Sequence, residues 1–191
     1  MILPVVAYGS PILRKVAENI DQNYSDLGKL IEDMWETMYN SNGVGLAAPQ
    51  INRSIRLFVM DSEQIFSNQE EGDEKYPDEP GYKGVFINPQ IVSLDGNKWN
   101  YNEGCLSIPR IREDISRYES VTLSFLDDKF NAHQKTFIGI TARIILHEYD
   151  HLEGKLFIDH ISALKKTLLK RKLEDISKGK IKVDYRMIFQ K

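Results

Sequence analysis

The sequence predicts an α+β domain: short, mostly antiparallel strands packed around a buried helix bearing a His-Glu-x-x-His motif, plus an N-terminal and a C-terminal helix. Three observations point there. Apolar residues recur at helical spacing in three separate segments. Other segments alternate apolar with polar residues as strands do, and the two kinds do not follow the βαβ rhythm of a parallel sheet.

From the N-terminus, Leu27, Leu30, Ile31, Met34 and Met38 fall on one face of a helix over residues 25–40. Ser25 or Asp26 is placed to cap it, and Gly43 lies just past its end. Residues 56–60, 85–88, 90–94 and 121–126 read as short strands; in the last, Val121, Leu123 and Phe125 alternate with polar neighbours. Residues 62–83 stand apart as an exposed acidic insertion. They hold Glu63, Glu70, Glu71, Asp73, Glu74, Asp78 and Glu79 with Pro77 and Pro80, and few core-type side chains. A second helix over 138–152 is apolar on nearly every side until its histidines, which places it inside the domain. A third covers 161–177, with Leu164, Leu168, Leu169 and Leu173 on one stripe and Gly179 to end it. Residues 183–189 read as a final strand.

At 191 residues the chain fits one domain with a sizeable core, 1–191. Its 41% hydrophobic and 28% charged residues are ordinary for a globular protein. A net charge of −3 gives no global pull toward DNA or an anionic membrane. No stretch approaches the ~20 apolar residues of a membrane span. Residues 1–6 lack a basic region and are broken by Pro4, a poor signal peptide. A cytoplasmic location is expected. The one cysteine, Cys105, cannot form an internal disulfide, which leaves a buried small hydrophobe, a reactive thiol or a metal ligand.

The strongest chemical signal is His147-Glu148-Tyr149-Asp150-His151. On a helix, residues four apart lie one turn above each other, about 5–6 Å apart at Cβ. Two imidazoles so placed converge on one divalent ion, and Glu148 sits where it can exchange a proton with water there. Ordinary surface residues would satisfy the same spelling. The preceding Ile140, Ala142, Ile144, Ile145 and Leu146, however, bring the motif out of a buried environment, where unpartnered polar groups cost several kcal/mol.

A hydrolytic site needs a third protein ligand and an open position. Gly154 falls where one large metalloprotease group has its glycine, but Phe157 occupies the place of that group's third histidine. His160 is displaced by three residues and His133 lies among polar neighbours on a strand, so both read as surface histidines. Cys105, in Asn102-Glu103-Gly104-Cys105-Leu106-Ser107-Ile108-Pro109, is the better candidate, since a metal would hold it as thiolate. In the segment from Gly43 to Gln50, glycines and alanines keep side chains small enough for the main chain to lie against a ligand. Gln50 then offers an amide donor, although a tight turn packed on the core explains the glycines equally well.

Together, in order, these three segments resemble the motifs of peptide deformylases, which remove the formyl group from the N-terminal methionine of new bacterial proteins. The likeness runs from Leu13-Arg14-Lys15-Val16-Ala17 to Leu164 and leaves out the acidic insertion and the C-terminal tail. The resemblance implies that Cys105, His147 and His151 bind one metal ion, natively Fe²⁺, with Zn²⁺ or Ni²⁺ also able to occupy the site. It implies that Glu148 is general base and then acid, and that the Gln50 amide and the Leu106 backbone N–H stabilise the oxyanion. Gly45 would contact the peptide backbone, and Glu103 and Arg112 would support the site. Val44, Ile140, Arg143 and Ile144 would line the methionine pocket, with Arg143 standing where members often carry an apolar residue. The implied partners are N-formylmethionyl peptides and nascent chains.

Two other readings share parts of this pattern. A zinc endopeptidase uses the same helix motif but takes a histidine or carboxylate as third ligand. A non-catalytic metal- or ribosome-binding module would use Lys165, Lys166, Lys170, Arg171 and Lys172 of the last helix against RNA phosphates, a contact equally open to a deformylase.

Overall fold

The computed structural model describes residues 1–68, 76–78 and 80–189. Its main sheet has five antiparallel strands in the order β2-β3-β4-β5-β6: β2 (Gly45–Ala47), β3 (Leu57–Asp61), β4 (Lys83–Cys105), β5 (Ile108–Leu126) and β6 (Ala132–Ile138). The helices are α1 (Leu27–Asn40), α2 (Glu63–Ser67), α3 (Gly139–Leu152) and α4 (Ala163–Ser177). A second, parallel pair joins the chain's two ends, β1 (Val5–Val6) to β7 (Met187–Ile188).

β4 and β5 form one long hairpin where the sequence suggested separate short strands. Register shifts at 87/90, 91/93 and 95/98 break the alternation of apolar and polar residues, so the pattern looked interrupted. One half of the hairpin lies in the sheet, β4 against β3 and β5 against β6. The other half extends beyond as a two-stranded arm. The arm ends in the turn Leu106–Ser107, with Cys105 paired to Ile108 across it. β6 is an edge strand, with His133 exposed on it among Gln134 and Lys135, as its polar neighbours suggested.

α3 is the central helix. Twelve of its fourteen residues are buried, among them Ile140, Ala142, Ile144, Ile145 and Leu146. It packs on β2, β3, β5 and β6. β6 runs into it with no connecting loop, and the corner is Gly139 at φ +59°. A Cβ there would lie 2.2 Å from an oxygen of Asp78, whose carboxylate accepts from the Ile140 (3.2 Å) and Thr141 (2.7 Å) amides. An acidic residue of the segment expected to be merely exposed thus caps the helix that carries the motif.

Elsewhere in that segment, residues 63–67 form the short helix α2, and the Ser62 hydroxyl is buried against Thr141 at 2.7 Å. Glu70, Glu71, Asp73, Glu74 and Glu79 lie outside the described residues.

The end signals of two helices differ from expectation. Asp26 begins α1 in the left-handed region and makes no side-chain cap, and Asn42 rather than Gly43 takes the left-handed turn after it. On α4 the buried stripe is Leu169, Leu173 and Ile176, whereas Leu164 and Leu168 are 70% and 72% exposed. No helix among the described residues is long and apolar enough to cross a membrane.

Candidate metal centre

The arm of the hairpin brings Cys105 against α3. Its Sγ lies 3.2 Å from His151 Nε2, and the ligand atoms of Cys105, His147 and His151 all fall within 4.8 Å of one another. Donors around a tetrahedral ion with bonds of ~2.0–2.3 Å are separated by roughly 3.3–3.8 Å, so the three side chains stand within about 1 Å of the spacing that a three-ligand site needs. Burial alone would push the Cys105 thiol up. The His151 and His147 imidazoles reverse this and hold it at about 5, in the thiolate form. His147 in turn is raised well above its usual value: burial lowers it, but the Cys105 sulfur and the Glu103 carboxylate outweigh that. A pair that favours thiolate beside imidazolium favours a divalent cation between sulfur and nitrogen in place of the proton. The donor set fits such an ion.

His147 is oriented from behind, whereas the Nδ1 of His151 is buried without a hydrogen-bond partner among the described residues. Glu103 Oε2 lies 3.0 Å from His147 Nδ1, leaving Nε2 to meet a cation. Glu103 is itself gripped by Arg117, with Nε at 2.7 Å and Nη2 at 3.0 Å, and by Arg143 Nη1 at 3.0 Å. Burial works against the Glu103 charge, but His147 and Arg117 keep its carboxyl far below the usual range. Arg117 also donates to Asp150 at 2.7 Å, and Asp150 pairs with His160 Nε2 at 2.7 Å.

Glu148, on the same turn of α3, is buried, and one of its oxygens lacks a partner among the described residues. Burial pushes its carboxyl up to about 7, although both imidazoles pull the other way. It is poised to take a proton and give it back near neutrality. Gly45 makes room for it, because a Cβ there would sit 2.4 Å from Glu148 Oε1. Gln50 is oriented by the Ala47 amide, which donates to its Oε1 at 2.8 Å. The Nε2 amino group must then face the other way, toward Cys105 Sγ at 3.5 Å and Ser107 Oγ at 3.4 Å.

These groups open on one cleft of about 580 Å³. Val44, Gly45, Gln50, Glu103, Cys105, Leu106, Arg112, Ile140, Arg143, Ile144, His147 and Glu148 all border it, and His151 lies behind the sulfur, 1% exposed. Arg112 stands at the rim, bonded to Asn102 through side chain and carbonyl.

Arg143 does more than line the wall. Only 2% exposed, it donates to Glu103, to Ile115 O (2.8 Å) and to Trp99 O (2.7 Å), and lies over the Trp99 ring at 4.5 Å. It therefore staples both strands of the arm to α3.

Sequence reasoning passed over Arg117, Ser107 and the Asp150–His160 pair. His160 is exposed, as its reading as a surface residue expects, and its ring also pairs with Asp150. A signal for Arg117 existed: a buried glutamate behind a histidine ligand needs a cation, and Arg117 lies on the strand that pairs with it. Tyr185, whose hydroxyl donates to Leu106 O at 2.7 Å, had no signal at all. Burial and the Cys105 charge push that hydroxyl up, so it remains a donor.

A sequence profile described as polypeptide deformylase matches residues 2–167. A peptide deformylase of Christiangramia forsetii is 48% identical over 189 residues, 99% of this chain and 96% of that protein. One of Cytophaga hutchinsonii is also 48% identical, over 99% of this chain and 98% of its own length. The crystal structure of a peptide deformylase from Legionella pneumophila superposes with a TM-score of 0.78 at 36% identity, covering 94% of this chain and 98% of that one. A peptide deformylase of Arabidopsis thaliana, in complex with an inhibitor, gives 0.79 at 31% identity over 93% of this chain and 92% of its own.

Proposed function

The chain belongs to the peptide deformylase family, hydrolases that remove the N-formyl group from nascent proteins, and on that premise we propose how its own residues carry out the reaction. The supporting observation is the meeting, in one cleft, of the Cys105–His147–His151 cluster with the buried Glu148 carboxylate and the oriented Gln50 amide.

Cys105, His147 and His151 would hold one divalent ion per chain. When bound, it supplies Lewis-acid polarisation of the formyl carbonyl and makes a water molecule acidic enough to react near neutral pH. The thiolate is a soft ligand, compatible with Fe²⁺ as the natural ion and with Zn²⁺ or Ni²⁺ in its place. Glu148 takes the proton from the attacking water on its unpartnered oxygen. It then delivers that proton to the methionine nitrogen as the C–N bond breaks, so that formate and a free amine leave. The developing negative charge on the formyl oxygen is met by Gln50 Nε2 and by the Leu106 backbone N–H. Gly45 offers its main chain to the peptide, while Val44, Ile140, Ile144 and the inner side of Arg143 receive the methionine side chain. Glu103 and Arg112 support the walls.

We read 1–191 as one catalytic domain working in the cytoplasm on formylmethionyl nascent chains, with 62–83 as an acidic insertion. Contact with the ribosome falls to α4. There Lys165 is paired with Glu113 at 2.6 Å and Lys166 with Asp159 O at 3.1 Å, while Lys170, Arg171 and Lys172 face solvent.

The direct test is incubation of the protein with formyl-Met-Ala-Ser peptide, with formate measured beside elemental analysis of the protein. Formate release requiring one metal equivalent is expected. Intact formyl peptide, or cleavage of an internal peptide bond instead, would refute the reading.

A further inference from the structure

The C-terminal tail lies beyond the 2–167 region that the family profile matches, yet it closes one side of the cleft. Lys182, Val183, Asp184 and Tyr185 line the cleft alongside Cys105 and Leu106. The tail is tied down around Tyr185. β7 pairs with β1, and the Val5 and Ala7 amides donate to Arg186 O (2.8 Å) and Ile188 O (2.9 Å). Ile181, Met187 and Phe189 pack onto the cluster containing Ile108 and Ile111.

So anchored, the Tyr185 hydroxyl reaches the hairpin tip and donates to Leu106 O at 2.7 Å. The neighbouring carbonyl, Ser107 O, accepts from the Tyr8 amide at 2.8 Å. Both carbonyls of this two-residue turn are therefore held from outside the hairpin, one by each end of the chain. Leu106 of this turn borders the cleft. An oxyanion donor works by being aimed before the reaction starts, and a misplacement of about 1 Å can cost roughly 100-fold in rate.

We infer that Tyr185 is a positioning residue for deformylation, its hydroxyl fixing the Leu106–Ser107 turn so that the Leu106 N–H points at the formyl oxygen. The inference rests on the proposed oxyanion role of Leu106. It makes the tail part of the catalytic unit.

Tyr185→Phe keeps the ring and removes only the hydrogen bond. With formyl-Met-Ala-Ser, kcat should fall about fivefold while KM stays within about twofold, since the lost contact matters only in the transition state. Bound metal should not change, and the melting temperature should drop by no more than the few degrees that one hydrogen bond is worth. An unchanged kcat overturns the inference. So does a parallel fall of kcat, metal content and melting temperature, which is the mark of a merely structural residue. The wild-type protein in the same assay separates the two levels: without formate release both readings fail, whereas release with an equally active Phe variant removes only Tyr185. Should the variant not fold, NMR on the wild-type protein decides. A slowly exchanging Tyr185 hydroxyl proton with a cross-peak to the Ser107 amide supports the inference; a hydroxyl proton lost to solvent exchange overturns it.

Discussion

Gln50 shows how a single residue can be aimed by one backbone bond. Because the Ala47 amide occupies its carbonyl oxygen, its amino group has only the side of Cys105 to face. Removing one such donor commonly costs about 10²–10³ in turnover, so Gln50→Ala should lower kcat by that order with KM little changed. A rise in KM alone would instead make Gln50 a binding residue. Glu103 is the corresponding case behind the metal ligands. Glu103→Gln preserves the shape but weakens the hold on His147 Nδ1, and affinity for a divalent ion should drop about 10–100-fold in a competitive chelator titration. Unaltered affinity would mean that His147 is oriented by packing alone. At this level the sequence was legible for every residue that a motif spells. For Arg117 it held only an indirect signal and for Tyr185 none, since their importance comes from what they touch across the fold.

Among the elements, α3 was read almost to the residue, because a buried helix leaves a continuous apolar record that ends only at its histidines. Its cap was not readable. Asp78 is far from Ile140 in sequence and sits in a stretch whose composition looked like a solvated loop. Asp78→Ala should cost about 1 kcal/mol through the lost cap, roughly 2–4 °C in melting temperature for a chain of this size. Thermal unfolding checks it, and no shift would show that the helix end is satisfied by other donors. The β4–β5 hairpin escaped recognition for another reason. Its outer half carries exposed polar residues such as Asn100, Asn102 and Asp114, and its apolar residues, Trp99, Tyr101, Ile111 and Ile115, are too few and too scattered to mark two long strands. That half nonetheless carries Cys105, Leu106 and the Glu103–Arg117 pair to α3.

Over the whole molecule, the site exists because distant parts of the chain converge: the hairpin tip, the motif helix, the short strand β2 and both chain ends. The β1–β7 pair could not be foreseen, since neither two-residue strand has a local partner. The ion-pair network that welds these parts also sets an acid limit. Burial opposes the Asp150 charge, but His160 and Arg117 prevail and hold its carboxyl at about 2 against an ordinary 3.8. A depressed carboxyl stabilises the fold above its unfolded value. That contribution is lost as pH falls from about 4 to about 2. The melting temperature should decline through this window, and the decline should be shallower in Asp150→Asn. Identical slopes would remove Asp150 from the acid response.

The measurement closest to the heart of the matter is optical titration of the metal-free protein with cobalt(II). An ion bound by one thiolate and two imidazoles should produce a sulfur-to-cobalt charge-transfer band that saturates at one equivalent and is absent in Cys105→Ser. A band that never appears, or one that survives loss of the sulfur, would contradict the existence of this centre.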